Sequence, residues 1–166
     1  MLNARIQNAL NDQINAELSS SYIYLAMSAY CHHRHFSGSA AWLEAQSEEE
    51  RAHAMKIYKF LIARGCPVSL KEIPAPETSY SSLRDVFAKA LQQEIEVSAQ
   101  IDALYELASE ERAFAALVEL QWFISEQVEE EKTARGIVAH LELIGDDPVA
   151  LLDFDRGLGA RGDPAR

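Results

Sequence analysis

The sequence predicts an all-α fold: a four-helix bundle with one long crossover between helices two and three, plus a short C-terminal fifth helix. Three observations predict it. Apolar residues recur at three- and four-residue spacing over four long stretches. Only 7 glycines and 5 prolines occur in 166 residues, so helix breakers are few. Three of those prolines, Pro67, Pro74 and Pro76, fall in one segment between the second and third stretches.

Each element has its own signals. Asn3 is positioned to cap a first helix reaching about His35, with an apolar stripe of Ile6, Leu10, Ile14, Leu18, Leu25 and Tyr30. Phe36-Ser37-Gly38-Ser39 breaks it, with Gly38 as the turn residue, and the short loop returns the second helix antiparallel. That helix runs from about Ala40 to Arg64 and stops at Gly65, with Pro67 beyond. The next segment, 66–81, is long for a loop in a compact domain. Fully extended it spans roughly 50 Å, against about 40 Å for the preceding helix. It therefore reaches the far end of the bundle, and the third helix can run parallel to the second. Ser82 caps that third helix, with Asp85 in its first turn, and it continues to about Ser109. A break at Glu110-Glu111-Arg112 precedes a fourth helix, from about Ala113 to Ile144, ended by Gly145. Asp147-Pro148 then starts a fifth, Val149 to about Leu158. The domain reading is one bundle with its fifth helix over residues 1–158 and a flexible tail over 159–166, in which Arg161-Gly162-Asp163 is taken as a chance occurrence.

Bulk properties exclude several function classes. A net charge of −11 disfavours nucleic acid and favours cations such as Fe(II), Ca(II) or Mg(II) near the surface. No apolar run approaches the roughly 20 residues needed to span a bilayer, and no signal peptide is expected at Met1-Leu2-Asn3-Ala4-Arg5. Two cysteines, Cys31 and Cys66, make no disulfide framework and suit a reducing compartment. The expected localisation is cytoplasmic.

The chemistry lies in carboxylates on the wrong face. Following each inward stripe meets Glu17 in the first helix and Glu50 with His53 in the second. The third brings Glu94, and the fourth brings Gln127 and Glu130. Glu50 and His53 are three apart, so they share one helix face. A buried carboxylate is costly unless paired or bound to metal. One such residue could be a boundary position; four helices violating the pattern at matching heights point to a shared polar site. Carboxylates with imidazole suit first-row metals, with a metal-free hydrogen-bond network as the alternative.

Over essentially its whole length the chain resembles the bacterial non-haem ferritins of the ferritin-like superfamily. The residues that carry the resemblance are Glu17 with Tyr24, Glu50-x-x-His53, Glu94, and the run from Leu120 through Glu126-Gln127-Val128-Glu129-Glu130-Glu131 to Lys132. The superfamily's di-iron site takes a Glu from each of two helices and Glu-x-x-His from each of the other two. Here the fourth helix carries Gln127-x-x-Glu130 instead, which implies an asymmetric site. Bacterioferritins, which hold haem between subunits, place a methionine where this chain has Ala52, so no haem is expected.

The resemblance implies specific roles. Glu17, Glu50 and His53 would bind the first iron. Glu50, Glu94 and Glu130 would bind the second, with Gln127 close by and Glu50 bridging. Tyr24 would hydrogen-bond a ligand or supply an electron; Trp122 is read as a core-packing residue, with a place near Tyr24 as the alternative. Glu49, Glu126 and Glu129, helped by Glu130, would form a third iron position. The implied activity is that of a ferroxidase: Fe(II) oxidised with dioxygen, and Fe(III) mineral stored inside a hollow cage of 24 copies. The fifth helix, with Leu151, Leu152, Phe154 and Leu158, would serve assembly. Another ferritin-like di-iron oxidase or peroxidase and a haem-binding bacterioferritin-type cage are the alternatives. His32, His33 and His35 beside Cys31 look like a metal cluster but fall at a helix end, and are read as an exposed loop group.

Overall fold

Asn3 opens the first helix by accepting the Ile6 amide on its side chain at 3.0 Å. The computed structural model describes residues 2–161 and holds five helices: α1 (Ala4–His33), α2 (Ser37–Ala63), α3 (Leu83–Glu110), α4 (Phe114–Ile144) and α5 (Pro148–Arg161). The bundle with one long crossover and a short fifth helix is therefore the observed architecture.

The α1–α2 turn differs from expectation. His35, not Gly38, takes the left-handed conformation, at φ 64°, and the Phe36 amide closes back on the Cys31 carbonyl. Helix α2 then begins at Ser37, three residues earlier than predicted, and contains Gly38. Phe36 offers no side-chain cap. Asp155 of α5 supplies one: its carboxylate accepts the amides of Gly38 (3.0 Å) and Ser39 (2.7 Å) and the Ser39 hydroxyl (2.7 Å). Gly38 is needed for close approach, because a Cβ there would lie 1.8 Å from the Asp155 carbonyl oxygen.

The expected crossover joins α2 to α3. Helix α2 stops where Gly65 adopts φ 68°. Two asparagines of α1 then hold the crossover backbone. Asn11 donates to the Pro67 carbonyl and accepts the Ser69 amide. Asn15 donates to the Ser69 carbonyl and accepts the Lys71 amide. At the far end the Ser82 hydroxyl accepts the Asp85 amide, and the Asp85 carboxylate accepts the Ser81 amide. The break between α3 and α4 lies at the predicted residues, with Arg112 at φ 52°. Asp147 caps α5 by accepting the amides of Val149 and Ala150.

Cross-helix bonds set the directions. Ser21 pairs with Ser47, and the Ser28 hydroxyl donates to the Ala40 carbonyl, so α1 and α2 are antiparallel. Asn3 meets Glu111 and Ser20 meets Gln93, so α1 and α3 are also antiparallel. Helices α2 and α3 therefore run parallel, as the crossover length required.

Helix α5 continues to Arg161, three residues past the predicted end at Leu158, so 159–161 are helix rather than tail; 162–166, with the rest of Arg161-Gly162-Asp163, lie outside the described residues. Leu158 is buried, and Leu151 and Phe154 pack on the same core cluster; of the four apolar residues assigned to assembly, only Leu152 is exposed. Leu25, placed in the α1 core stripe, is likewise exposed.

The core comes in two pieces. One contains Ile6, Leu10, Ile14, Ile57, Leu61, Ile101, Leu120 and Phe123. The other contains Tyr24, Met27, Leu43, Phe87, Ile137 and Leu141. Buried Glu17, Ser20, Ser47, Glu50, His53, Glu94 and Gln127 fall between them in sequence along the four long helices.

Candidate metal centre

Helix α1 brings Glu17, α2 brings Glu50 and His53, α3 brings Glu94, and α4 brings Gln127 and Glu130. The two serine bonds between α1 and α2 fix the heights of the first three. The Ser21 and Ser47 hydroxyls each donate to the other's carbonyl at 2.7 Å. Ser21 is one turn from Glu17, and Ser47 one turn from Glu50, so this clasp locks the two carboxylates at one level.

One ligand atom from each of Glu17, Glu50 and His53 lies within 4.8 Å of those of the other two. All three side chains are buried. His53 Nδ1 is 3.4 Å from Glu50 Oε2. Glu17 Oε2, Glu50 Oε2 and His53 Nδ1 have no hydrogen-bond partner among the described residues. Unsatisfied buried polar atoms are rare and costly. Three in one place, all lone-pair donors of the types that first-row metals take, fit a cation.

The remaining residues are held rather than orphaned. Tyr24 donates its hydroxyl to Glu94 Oε1. The Gln127 amide donates to Glu94 Oε2 at 3.1 Å and lies 3.3 Å from both the Glu94 carbonyl and the Ser98 hydroxyl. Both carboxylate oxygens of Glu94 are thus aimed by neighbours. Glu130 is half-buried.

Electrostatics follow from burial. Burial raises the Glu17 carboxyl well above the usual carboxylate range, and the nearby Glu50 charge adds to it. Burial also raises Glu50, with Glu94 next in effect. Glu130 is pushed up to about 8 by burial and by the Glu49 and Glu94 charges. Burial, then Glu94, raises the Tyr24 hydroxyl. The centre repels its own negative charge, so protons or cations must neutralise it.

A second cluster shares the histidine. Ligand atoms of Glu49, His53 and Glu126 also lie within 4.8 Å of one another. Glu129 stands apart from it, exposed and paired with Lys132 at 2.9 Å. Trp122 is not in the core beside Tyr24. It is 40% exposed and packs edge-on against His53 at 5.3 Å, with the Lys56 ammonium over its ring. Tyr24 instead meets Trp42, at 6.5 Å. The cluster at the end of α1 does not form as a unit. Cys31 is fully buried, and burial raises its thiol to about 12. His32, His33 and His35 are exposed, and His32 pairs with Glu44.

Sequence reasoning missed Gln13, whose amide donates to Glu17 Oε1 at 2.9 Å in a buried setting. The signal was available: Gln13 lies four residues before Glu17, on the same helix face. It also missed Ser21–Ser47, which reads from sequence only as small polar spacing.

Comparisons with known proteins agree with this layout. A family model described as a ferritin-like domain matches residues 7–144. The bacterial non-heme ferritin of Staphylococcus aureus (strain USA300) is 38% identical over 161 residues, covering 97% of each chain. That of Staphylococcus haemolyticus (strain JCSC1435) matches with the same identity and coverage. Among solved structures, an open pore ferritin from the archaeon Archaeoglobus fulgidus superposes with a TM-score of 0.95 at 39% identity, covering 96% of this chain and 98% of that one. With a matching helix order, a polar layer contributed by all four long helices and relatives spanning nearly the full length, the chain belongs to the ferritin-like family.

Proposed function

We propose that this chain is an iron-storage ferritin subunit with a ferroxidase centre, working in the cytoplasm as a 24-copy cage. Fe(II) is the substrate and dioxygen the acceptor. The observation that carries the reading is the trio of unpartnered buried atoms on Glu17, Glu50 and His53. Without a metal, these buried carboxylates have to be neutralised by protons instead.

In this reading Glu17, Glu50 and His53 hold the first iron. Glu50, Glu94 and Glu130 hold the second, with Gln127 as a neutral neighbour. Two irons give one electron each, so dioxygen takes two electrons within one site. The protein's part is charge and geometry. Hard carboxylate oxygens favour the ferric product. Glu17, Glu50 and Glu130 shed protons as metal enters, because each is raised in the free protein. Tyr24 keeps Glu94 Oε1 in place and is close enough to the ligands to supply an electron. Glu49 and Glu126, helped by Glu130, receive a third iron beside His53, with Glu129 joining only if it leaves Lys132.

Assembly is supported by the outward apolar residues Tyr22 and Leu25 on α1, Phe114 and Val118 on α4, and Leu143, Val149 and Leu152 around the α4–α5 turn. The relatives named above are ferritins, which supports iron as cargo.

The test is aerobic addition of Fe(II) to the purified protein, followed by ultraviolet absorbance and by sizing. The parent is expected to oxidise iron as a large particle. The ferroxidase reading fails if Glu50→Ala combined with His53→Ala oxidises iron as fast as the parent. The cage reading fails if the parent elutes as a monomer.

A further inference from the structure

Glu17 has two carboxylate oxygens in different situations. Oε1 accepts the Gln13 amide at 2.9 Å, in a bond where both side chains are buried. Oε2 has no partner and belongs to the orphaned trio with Glu50 and His53. Gln13 is four residues earlier on the same helix, so the bond runs along α1 and does not depend on another element moving. Behind Gln13 lies a groove of about 380 Å³ between α1 and α3, lined by Ala9, Asp12, Ala16, Gln100 and Leu104 among others. Gln13 thus stands between a surface groove and the first ligand of the centre.

We propose that Gln13 is a positioning residue that restricts Glu17 to binding metal through Oε2 alone, and so keeps a coordination position free on the first iron. The assignment rests on the metal centre proposed above. A carboxylate with both oxygens free can rotate about its terminal torsion and chelate a metal through both. With Oε1 held by a charge-assisted bond, that rotation costs the bond. The Glu17 oxygen that faces Glu50 and His53 is then fixed, and the position a chelating Glu17 would occupy stays open for dioxygen. Hydrogen-bond partners of metal ligands commonly change metal affinity or activity by 10- to 100-fold.

The experiment uses cobalt(II) as the probe, added without oxygen to the intact parent and to Gln13→Met and Gln13→Leu. Both variants put an apolar side chain of similar bulk in place of the amide, and the groove at their back gives room to relax. Gln93→Met is the control. Gln93 donates to Ser20 at 2.6 Å across the same α1–α3 seam, and its side-chain bond goes to Ser20 rather than to Glu17. Cobalt(II) d–d bands weaken as coordination number rises. The Gln13 variants are expected to bind the first cobalt about tenfold more weakly and with weaker bands, at unchanged sizing and circular dichroism. In iron oxidation their kcat falls by a similar factor, because the position kept for dioxygen is taken by the second Glu17 oxygen. Gln93→Met is expected to match the parent in both titrations. The assignment is overturned if Gln13→Met or Gln13→Leu folds and gives the parent's cobalt affinity and band intensity. A different failure belongs to the centre itself: the parent shows no cobalt bands that Glu50→Ala with His53→Ala removes.

Discussion

Tyr24 on α1 donates its hydroxyl to the carboxylate of Glu94 on α3, joining two helices that are antiparallel and distant in sequence. Gln127 of α4 holds the other oxygen of the same carboxylate. Glu94 is therefore aimed from two sides, whereas Glu17 is aimed from one.

Removing one of those two donors is expected to loosen the second of the two proposed iron positions. Tyr24→Phe and Gln127→Met should each weaken binding there by about tenfold, with the fold intact. Anaerobic Fe(II) titration by calorimetry would resolve the second binding step. Parent-like affinity in both variants would show that Glu94 needs neither partner.

Acidity of the centre should make the metal-free protein less stable as pH rises. Burial raises Glu17 and Glu50 and pushes Glu130 up to about 8, whereas an unfolded glutamate titrates at about 4.3. Between those values the folded state binds more protons than the unfolded, so stability falls with rising pH. The contribution is fully present below about pH 4.3 and lost as Glu130 ionises near pH 8. Scanning calorimetry of metal-free protein should show the midpoint falling over that window, beyond the trend of other groups. Glu130→Gln should flatten the upper part, and saturating zinc(II) should abolish the slope.

The Asp155 cap on α2 gives a sign test on three neighbouring substitutions. Asp155→Ala removes a buried carboxylate that satisfies two amides and a hydroxyl, and should cost about 2 kcal/mol. Gly38→Ala should also destabilise, because its Cβ would meet the Asp155 backbone. Gly157→Ala, with open space around it, should instead stabilise α5 by about 0.5–1 kcal/mol. Denaturant unfolding would measure all three, and a stable Gly38→Ala would contradict the packing.

Asn11 and Asn15 make separable predictions for the crossover. Asn11→Ala should cost about 1–2 kcal/mol and speed hydrogen exchange at the Ser69 amide, leaving Lys71 less affected. Asn15→Ala should do the reverse. Equal loss of protection at both amides in either variant would mean that the segment detaches as a unit.

Much of the fold was legible because its signals are local. Ser82 with Asp85, Gly65 and Gly145 all act within a turn or two of themselves, and the helix breaks fall at those residues. The polar layer was legible because Glu17, Glu50 and His53 each violate an apolar stripe. What was not legible depended on distant chain. Helix α2 starts at Ser37 because Asp155 caps it from the fifth helix, and no nearby residue announces that. Gly38 read as a turn glycine when its role is close packing. Cys31 looked like part of a histidine group because it is adjacent in sequence, but helix geometry turns it inward while His32 and His33 face out. Glu129 and Trp122 were placed by proximity to motif residues, and their helix face puts them at the surface.

The asparagine pair on α1 has a metrical consequence. Four residues of helix advance about 6 Å, and two residues of extended chain advance about 6.6 Å. Asn11 and Asn15, four apart, can therefore bracket Val68 and Leu70, two apart, with almost no mismatch. The helix serves the crossover as a ruler with a two-residue graduation. An insertion of one residue between Pro67 and Ser69 breaks the Asn11 bracket and one between Ser69 and Lys71 breaks the Asn15 bracket, while an insertion after Lys71 leaves both brackets untouched. Length variation in this connection should accordingly be confined to its second half, and the first half should tolerate changes of side chain far better than changes of count.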